Sequence, residues 1–565
     1  MGGVTSLTYD AATDWLLSES FQGNSRTYSY NYDGSVSTLT DPNGNLFNYV
    51  YDLAGRIISD GYATYAYNGN GNLQSITRQG KAIQFVYDGL NRVISTIYDG
   101  FTVGYNYDNV GNVTKIIYPG NKAVTYTYDA ANQMKTVRDW NNKITAYNYR
   151  DDGLLLQMVY PDNLTTTYSY DAAGRQTGMV TKRANGTVIA EYAYLLDNAG
   201  NHTREDITEP LIAYPSMNKP LINYTYNAAN RILTADTTTF SFDFNGNTTG
   251  KTGYAYSYDL KNNLTAVTGR FNANYVYDGA GLRREASYNG VGKKFVLDIL
   301  GMSRVLMETN TSGTPQNYYV HGLGLISRIK PDNSTCYYVS DFRGSIVAMV
   351  DGTANANITH KYSYDDFGSV IKSVEADFNP FRYVGKYGVM YEDSSLVFMR
   401  ARYYDNSIGR FLSEDPVWGT NLYPYADNNP IMNIDSPGTF EVKVNMKTNR
   451  LDYKLNWRER RLLKSKKQTK KQEELISKIN YINEINLNIE ILKKDNPDAD
   501  KQLSILNKII YFAKIVGKDY ITPNMLENII LPDVQRGISA IMFYDPERLV
   551  DNGTYTILSK LLNSY

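Results

Sequence analysis

The sequence predicts a mainly β protein: a ribbon of short stacked strands, then a compact polar-rich plug, then a separate α-helical region. Three observations carry this. Tyr-Asp pairs recur along the first 340 residues at a spacing near 20. A dense block of Arg, Tyr, Asp and Pro spans Asn379 to Gly438. Beyond it the composition turns Lys- and Asn-rich, with apolar residues at helical spacing. A chain of 565 residues exceeds one ordinary domain, and the boundaries fall at 1–340, 341–438 and 439–565.

The ribbon follows from the period. Tyr-Asp or a close variant occurs at Tyr9, Tyr32, Tyr51, Tyr67 and Tyr87, and the run Tyr107, Tyr128, Tyr149, Tyr170 keeps a step of 21 residues. A fixed period of this length marks a repeat architecture. Each unit reads aromatic–x–aromatic–Asp, then a Gly/Asn turn, then a short apolar run, as in Tyr105-Asn106-Tyr107-Asp108-Asn109-Val110-Gly111-Asn112. Tyr at i and i+2 share one strand face. Asp then leaves the strand and accepts bonds from turn N–H groups, with Gly or Asn supplying positive φ. Such a piece is too small to fold alone and needs stacked neighbours. The tyrosines have two readings, a sugar-stacking surface or a ladder holding adjacent strands together, and their recurrence at one place in each unit favours the ladder. From Leu195 to Asn230 the spacing stretches to 32, which predicts an inserted loop.

Charge divides the chain. Residues 439–565 hold 22 Lys and Arg against 16 Asp and Glu, and the remainder holds 35 against 42. An acidic body with a basic tail reads as two parts. The single cysteine, Cys336, excludes an intrachain disulfide framework and a multi-cysteine metal site, and no cofactor is expected. No stretch reaches the roughly 18–20 apolar residues of a membrane span. Met1 to Leu17 has neither a basic nor an apolar leader region. The expectation is export by another signal, or that the chain is the back portion of a longer or truncated protein.

In the plug, a polar block is costly to bury unless its groups pair with one another. Peptide hydrolysis by carboxylates needs two of them close together, one protonated and one ionised. Asp415 and Asp435, each beside or near a proline, are the candidate pair, and Arg410 lies close enough in sequence to orient one of them. The plainer alternative is that both aspartates cap turns.

The tail reads as helices over 455–494 and 498–516, broken at Asn496-Pro497, with a third short helix opening at Thr522-Pro523. The three histidines, His202, His321 and His360, all precede it, so His- and Cys-dependent chemistry is excluded there. Lys466, Lys467, Lys470 and Lys471 lie in a basic run with two readings, phosphate contacts or the solvated face of a helix. The second is the commoner use.

These residues resemble a known family. The repeats resemble YD (Rhs) repeats. The motifs Arg400-Ala401-Arg402-Tyr403-Tyr404-Asp405, Gly409-Arg410-Phe411 with Asp415-Pro416, and Tyr423-Pro424-Tyr425 with Asn428-Asn429-Pro430 are similar to the Rhs repeat-associated core domain. That domain is found in Rhs toxins, Tc toxin C components and teneurins. The resemblance implies a β ribbon spiralling into a hollow shell, partial at this length, and a core domain that cuts the chain by aspartyl autoproteolysis. It also implies a C-terminal effector held inside, with an immunity protein or secretion machinery as partners and a secreted or cell-surface location. The closing motif Asp435-Ser436-Pro437-Gly438-Thr439 has its proline displaced by one and threonine in place of leucine, and cleavage is expected at Thr439. The runner-up reading is a secreted or surface adhesion module that binds glycans.

Overall fold

The computed structural model describes residues 5–21, 23–213, 221–392, 395–416, 421–431 and 433–438. The helical expectation for 439–565, the position Thr439 and the lysines 466, 467, 470 and 471 lie outside the described residues. The chain divides into two compact units, one comprising 1–64, 76–84 and 96–443, the other 65–75, 85–95 and 444–565.

One repeat explains most of the fold. The strand Ala123–Tyr128 pairs with Met134–Arg138, and the register slips between Thr127 and Tyr128. That bulge turns the chain into a five-residue loop closed by Asp129 N–H donating to Gln133 O (2.9 Å) and Asn132 N–H donating to Asp129 O (3.1 Å). The Asp129 carboxylate accepts from the N–H groups of Ala131 and Gln133 at 2.8 and 2.9 Å. Asn132 takes the left-handed conformation, φ 60°, which Asn tolerates better than most residues. Turn polarity is therefore satisfied within the turn.

The two tyrosines of a unit share a face, as strand geometry requires, but they do different things. The first (Tyr126, Tyr147, Tyr168) is buried. The second reaches sideways to the start of the preceding strand. Tyr128 donates to Val113 O (2.9 Å), Tyr149 to Met134 O (2.8 Å) and Tyr170 to Leu155 O (2.8 Å). The hydroxyls thus tie neighbouring strands together.

In the first unit, the strands Thr5–Tyr9 to Leu46–Asn48 form a five-stranded antiparallel sheet in sequence order. The strands from Phe101–Tyr107 to His202–Thr208 continue in sequence order, and those from Tyr224–Tyr226 to Val370–Glu375 form a sixteen-stranded sheet. Within the other unit, Tyr87 donates to Leu73 O (2.7 Å) and the Asn72 amide donates to Asn91 Oδ1 (2.7 Å). Helical content among the described residues is confined to short 3-10 turns such as Pro119–Asn121 and Gly385–Tyr387.

Burial changes along the chain. Early strands alternate, whereas Leu325–Ile329 is buried at every position and Ile346–Asp351 at all but the last. Ile346–Val350 is a continuous apolar run, the pattern of a strand covered on both faces, whereas Leu325–Ile329 buries Ser327 and Arg328 as well. Buried Tyr118 and Tyr160 donate to the carbonyls of Tyr319 and Tyr338 at 2.7 and 2.9 Å, joining the earlier strands to this sheet.

The block 379–438 is compact. Met390–Tyr391, Leu396–Met399, Arg402–Asp405 and Arg410–Phe411 form a four-stranded sheet. Around it packs a core including Tyr383, Val397, Met399, Tyr404, Phe411 and Tyr425.

Candidate functional site

Arg402 stands at the centre of the candidate site. It opens the strand Arg402–Asp405 and its side chain is 2% exposed. Phe411, two places along the neighbouring strand pair, lies beneath it, with the guanidinium 3.6 Å from the ring centroid. A planar cation on an aromatic face keeps its edge free for hydrogen bonds. All three of its nitrogens are engaged. Nη2 lies 2.6 Å from an Asp415 carboxylate oxygen and 3.2 Å from one of Asp435. Nη1 donates to Leu422 O at 3.0 Å, and Nε donates to the carbonyl of Gly438.

The two candidate carboxylates therefore meet on one nitrogen. Asp415 is set by its own N–H, which donates to Leu422 O (2.9 Å), so the Leu422 carbonyl bonds both partners of the ion pair. Asp435 also caps a turn, its Oδ1 accepting from Gly438 N–H at 2.8 Å. The capping role and the pairing role coexist in one side chain. Burial holds the Arg402 guanidinium below its ordinary pKa, against the opposing pull of Asp415 and Asp435.

The segment carrying Gly438 is pressed onto the turn between the strands Leu396–Met399 and Arg402–Asp405. Ala401 N–H donates to Pro437 O (3.2 Å), and Arg400 Nη1 donates to Ser436 O (2.9 Å). Arg400 also donates to Ser303 O (2.9 Å) and to Tyr387 O, so one side chain joins three chain segments. Gly438 has φ 75°, and a Cβ there would sit 2.4 Å from Met399 O. No other residue fits this approach.

Arg410 is elsewhere. Its guanidinium lies 4.8 Å from the Tyr226 ring centroid and its Nη1 donates to Asn230 O at 3.4 Å. The sequence places Arg410 beside a carboxylate, but Arg402 holds that place. Phe411 faces Arg402, so its neighbour Arg410 points to the other side of the strand. Proximity in sequence was the wrong guide. Arg402 belongs to a motif quoted above for its resemblance, yet nothing local announces which arginine meets the aspartates.

A small cavity beside the guanidinium is lined by Arg402, Ser413, Tyr403, Tyr277 and Asn263 among others. Among the described residues, no group of three or more His, Cys, Asp or Glu is arranged to hold a metal ion. Chemically, the arrangement offers two carboxylates for proton transfer and a buried cation bonded to a backbone carbonyl, the parts that acyl-transfer chemistry uses.

A model of the teneurin YD-shell family matches residues 3–209 and 206–434. The chain belongs to the teneurin YD-shell family. Its Tyr-Asp units are YD (Rhs) repeats. The tRNA nuclease WapA of Bacillus subtilis (strain 168) is 32% identical over 270 residues, covering 45% of this chain and 11% of the relative. This YD-shell chain thus spans about a tenth of the length of the WapA relatives it matches. The crystal structure of TcdB2-TccC3-Cdc42 superposes with a TM-score of 0.59 at 16% identity, covering 77% of this chain and 28% of that one. The Photorhabdus luminescens Tc holotoxin pore gives a TM-score of 0.59 at 15% identity, with the same coverage of 77% and 28%. At these identities the structural likeness establishes the fold: a mainly β YD-shell with large sheets. No helix among the described residues is long and apolar enough to cross a membrane.

Proposed function

We propose that this YD-shell chain is the scaffold of a Rhs-type polymorphic toxin whose core cuts the backbone and frees residues 439–565 as the effector. The carrying observation is that Arg402 bonds Asp415, Asp435 and the Gly438 carbonyl at once. That carbonyl belongs to the Gly438–Thr439 peptide bond, within one residue of the position expected from sequence. Cleavage in this reading requires the two carboxylates to divide one proton between them, one protonated while the other is ionised. In the reaction, water adds to the Gly438 carbonyl carbon and the ionised carboxylate takes the water proton. The Arg402 Nε–H stabilises the negative oxygen. The protonated carboxylate gives its proton to the Thr439 nitrogen as the C–N bond breaks. The products are a Gly438 carboxyl group and a Thr439 amine.

In this reading the shell encloses the effector, the protein acts outside the producing cell, and an immunity protein is the effector's partner. The named activity of the WapA relatives, tRNA nuclease, makes RNA the first ligand to test on the basic run of the tail. If Lys466, Lys467, Lys470 and Lys471 contact phosphates, their replacement lowers the salt dependence of RNA binding by about one unit per lost contact. Salt-insensitive binding, or none, leaves the run as a solvated surface. The repeat tyrosines do not favour a glycan reading, because Tyr128, Tyr149 and Tyr170 commit their hydroxyls to backbone carbonyls.

The test of cleavage is the intact mass of purified full-length protein. Two fragments joined at 438/439 are expected. Asp415→Asn and Asp435→Asn abolish the cut while preserving shape, since an amide cannot share the proton, and chelators have no effect. Arg402→Lys slows it by about a hundredfold or more, as one oxyanion donor is worth. A wild-type chain that stays whole for days between about pH 4 and pH 8 sinks the reading.

A further inference from the structure

The run Arg410–Asp415 is gripped from two sides. Phe411 and Asp415 reach Arg402, at 3.6 Å and 2.6 Å. Arg410 and Glu414 instead reach the repeats. Arg410 donates to Asn230 O (3.4 Å). Glu414 Oε1 accepts from Arg231 Nη2 at 3.0 Å and Nε at 3.3 Å. Between them, Leu412 O accepts from Thr248 N–H at 2.7 Å. Tyr423 adds a further tie, donating to Gly246 O at 2.8 Å and to Glu414 Oε1 at 3.2 Å.

Arg231 is built for this task. It is 7% exposed, and it also donates to Asp243 O and Phe244 O at 3.2 and 3.4 Å. The turn it braces has Gly246 at φ 82°, where a Cβ would come 2.4 Å from Glu414 Oε1. Only a glycine lets the carboxylate settle there. The strands involved, Ile232–Ala235, Thr238–Phe242 and Thr248–Lys251, end 128 residues or more before Asn379, where the plug begins.

Arg410–Phe411 is strand and the chain bends at Leu412 and Ser413, yet Arg410 and Glu414 reach one side while Phe411 and Asp415 reach the other, so fixing one pair constrains the other. A slip of one place would bring Glu414 to Arg402 and send Asp415 to the repeats. We propose that the repeat strands between Tyr224 and Lys251 set the register of this run, and that Arg231 is the positioning residue that delivers Asp415 to Arg402. Resting on the cleavage reading above, this makes self-cleavage contingent on docking of the repeat sheet against the plug. The cut then reports that the shell wall at this point has formed. Arg410 has a role after all, through register and not through orientation of a carboxylate.

The test uses the full chain. Arg231→Met removes both bonds to Glu414, and the cutting rate falls by at least about tenfold. Arg231→Lys restores a cation to Glu414 and recovers the rate to within about threefold of wild type. The pH profile keeps its shape in both, because the reacting carboxylates are untouched. Pairing Arg231→Met with Glu414→Ala is no slower than either alone, as expected when two residues share one interaction. A methionine variant that cuts at the wild-type rate overturns the proposal, and so do methionine and lysine variants that are equally slow. A second readout needs no cleavage. In the Asp415→Asn background, Arg231→Met raises amide hydrogen exchange at Phe411 and Leu412 by about tenfold or more while Leu396–Met399 stays protected. That result with an uncut wild type removes the cleavage reading and keeps the register proposal. Unchanged exchange overturns the register proposal itself.

Discussion

Around Asp129 the carboxylate finds its turn partners within four residues, whereas Arg283 of a late repeat finds Glu392 of the plug across 109 residues. The contrast is one of emphasis, since repeats also meet one another at long range, as Arg78 meets Asp259 across 181 residues. Asp52, Asp88 and Asp171 each bond an arginine four places on. Lys251 pairs with Asp405 across 154 residues, and Arg231 with Glu414 across 183. Repeats close their polar accounts locally, so each is tolerant of its neighbours and can be added in series. The plug adds to such local bonds, as Asp435 to Gly438, buried charge pairs that close only by tertiary contact. It is therefore specific to one arrangement, and vulnerable wherever a single partner is removed.

The largest expected effect follows from Arg283. Its side chain is 1% exposed, Glu392 is 0% exposed, and the pair is 2.7 Å apart. The guanidinium also lies 3.7 Å from the Phe398 ring centroid and donates to Tyr403. Arg283→Met leaves Glu392 buried without its cation, a loss of about 3–5 kcal/mol. A denaturant midpoint for the core that stays at the wild-type value would break the comparison. Replacing Arg283 and Glu392 together by apolar residues of similar size costs far less, because no charge is stranded.

Legibility in the sequence follows the same line. The Tyr-Asp period, the Asp-capped turns and the shared face of the two tyrosines were readable because each is decided within one unit. Asp415 and Asp435 were named from the sequence as candidates and both reach Arg402, but that cation was not foreseen. Arg410 is five residues from Asp415 and Arg402 is thirteen, yet strand alternation turns the nearer one away. Which arginine meets the aspartates depends on how Arg402–Asp405, Arg410–Phe411 and the segment ending at Gly438 pack together. No local pattern encodes that.

A smaller effect is expected from pH, and it belongs to the buried late strands. His321 is buried, its Nε2 2.8 Å from Val305 O. Burial, helped by the nearby Arg304, pushes its pKa down to about 3. An unfolded histidine titrates near 6.5, so between these values the unfolded chain binds the extra proton. Stability is then complete above about pH 6.5 and is lost as pH falls toward 3, by roughly 1.4 kcal/mol for each unit. His321→Gln keeps a hydrogen-bonding side chain without titrating in this range. Its core should lose less stability than wild type between about pH 6.5 and pH 5. Equal slopes for the two proteins would show that His321 does not carry the dependence.

The smallest effect is expected in a repeat. Tyr149→Phe removes only the hydroxyl that donates to Met134 O at 2.8 Å. The tyrosine is half-buried, so water can replace part of what is lost, and the ring still packs on its neighbours. The cost is about 0.5–1.5 kcal/mol. Because adjacent units carry equivalent bonds, from Tyr128 to Val113 and from Tyr170 to Leu155, the damage stays within one unit. Amide exchange should rise in the strands Met134–Arg138 and Ile144–Tyr149 and remain unchanged in the four-stranded sheet of the plug. Pairing Tyr149→Phe with Tyr128→Phe tests whether the ladder is a sum of separate bonds or a cooperative one. Additive losses mean that each hydroxyl acts alone, as local satisfaction requires. A loss well beyond the sum would mean that neighbouring units share their stability through the ladder, and the contrast with the core would then be one of degree.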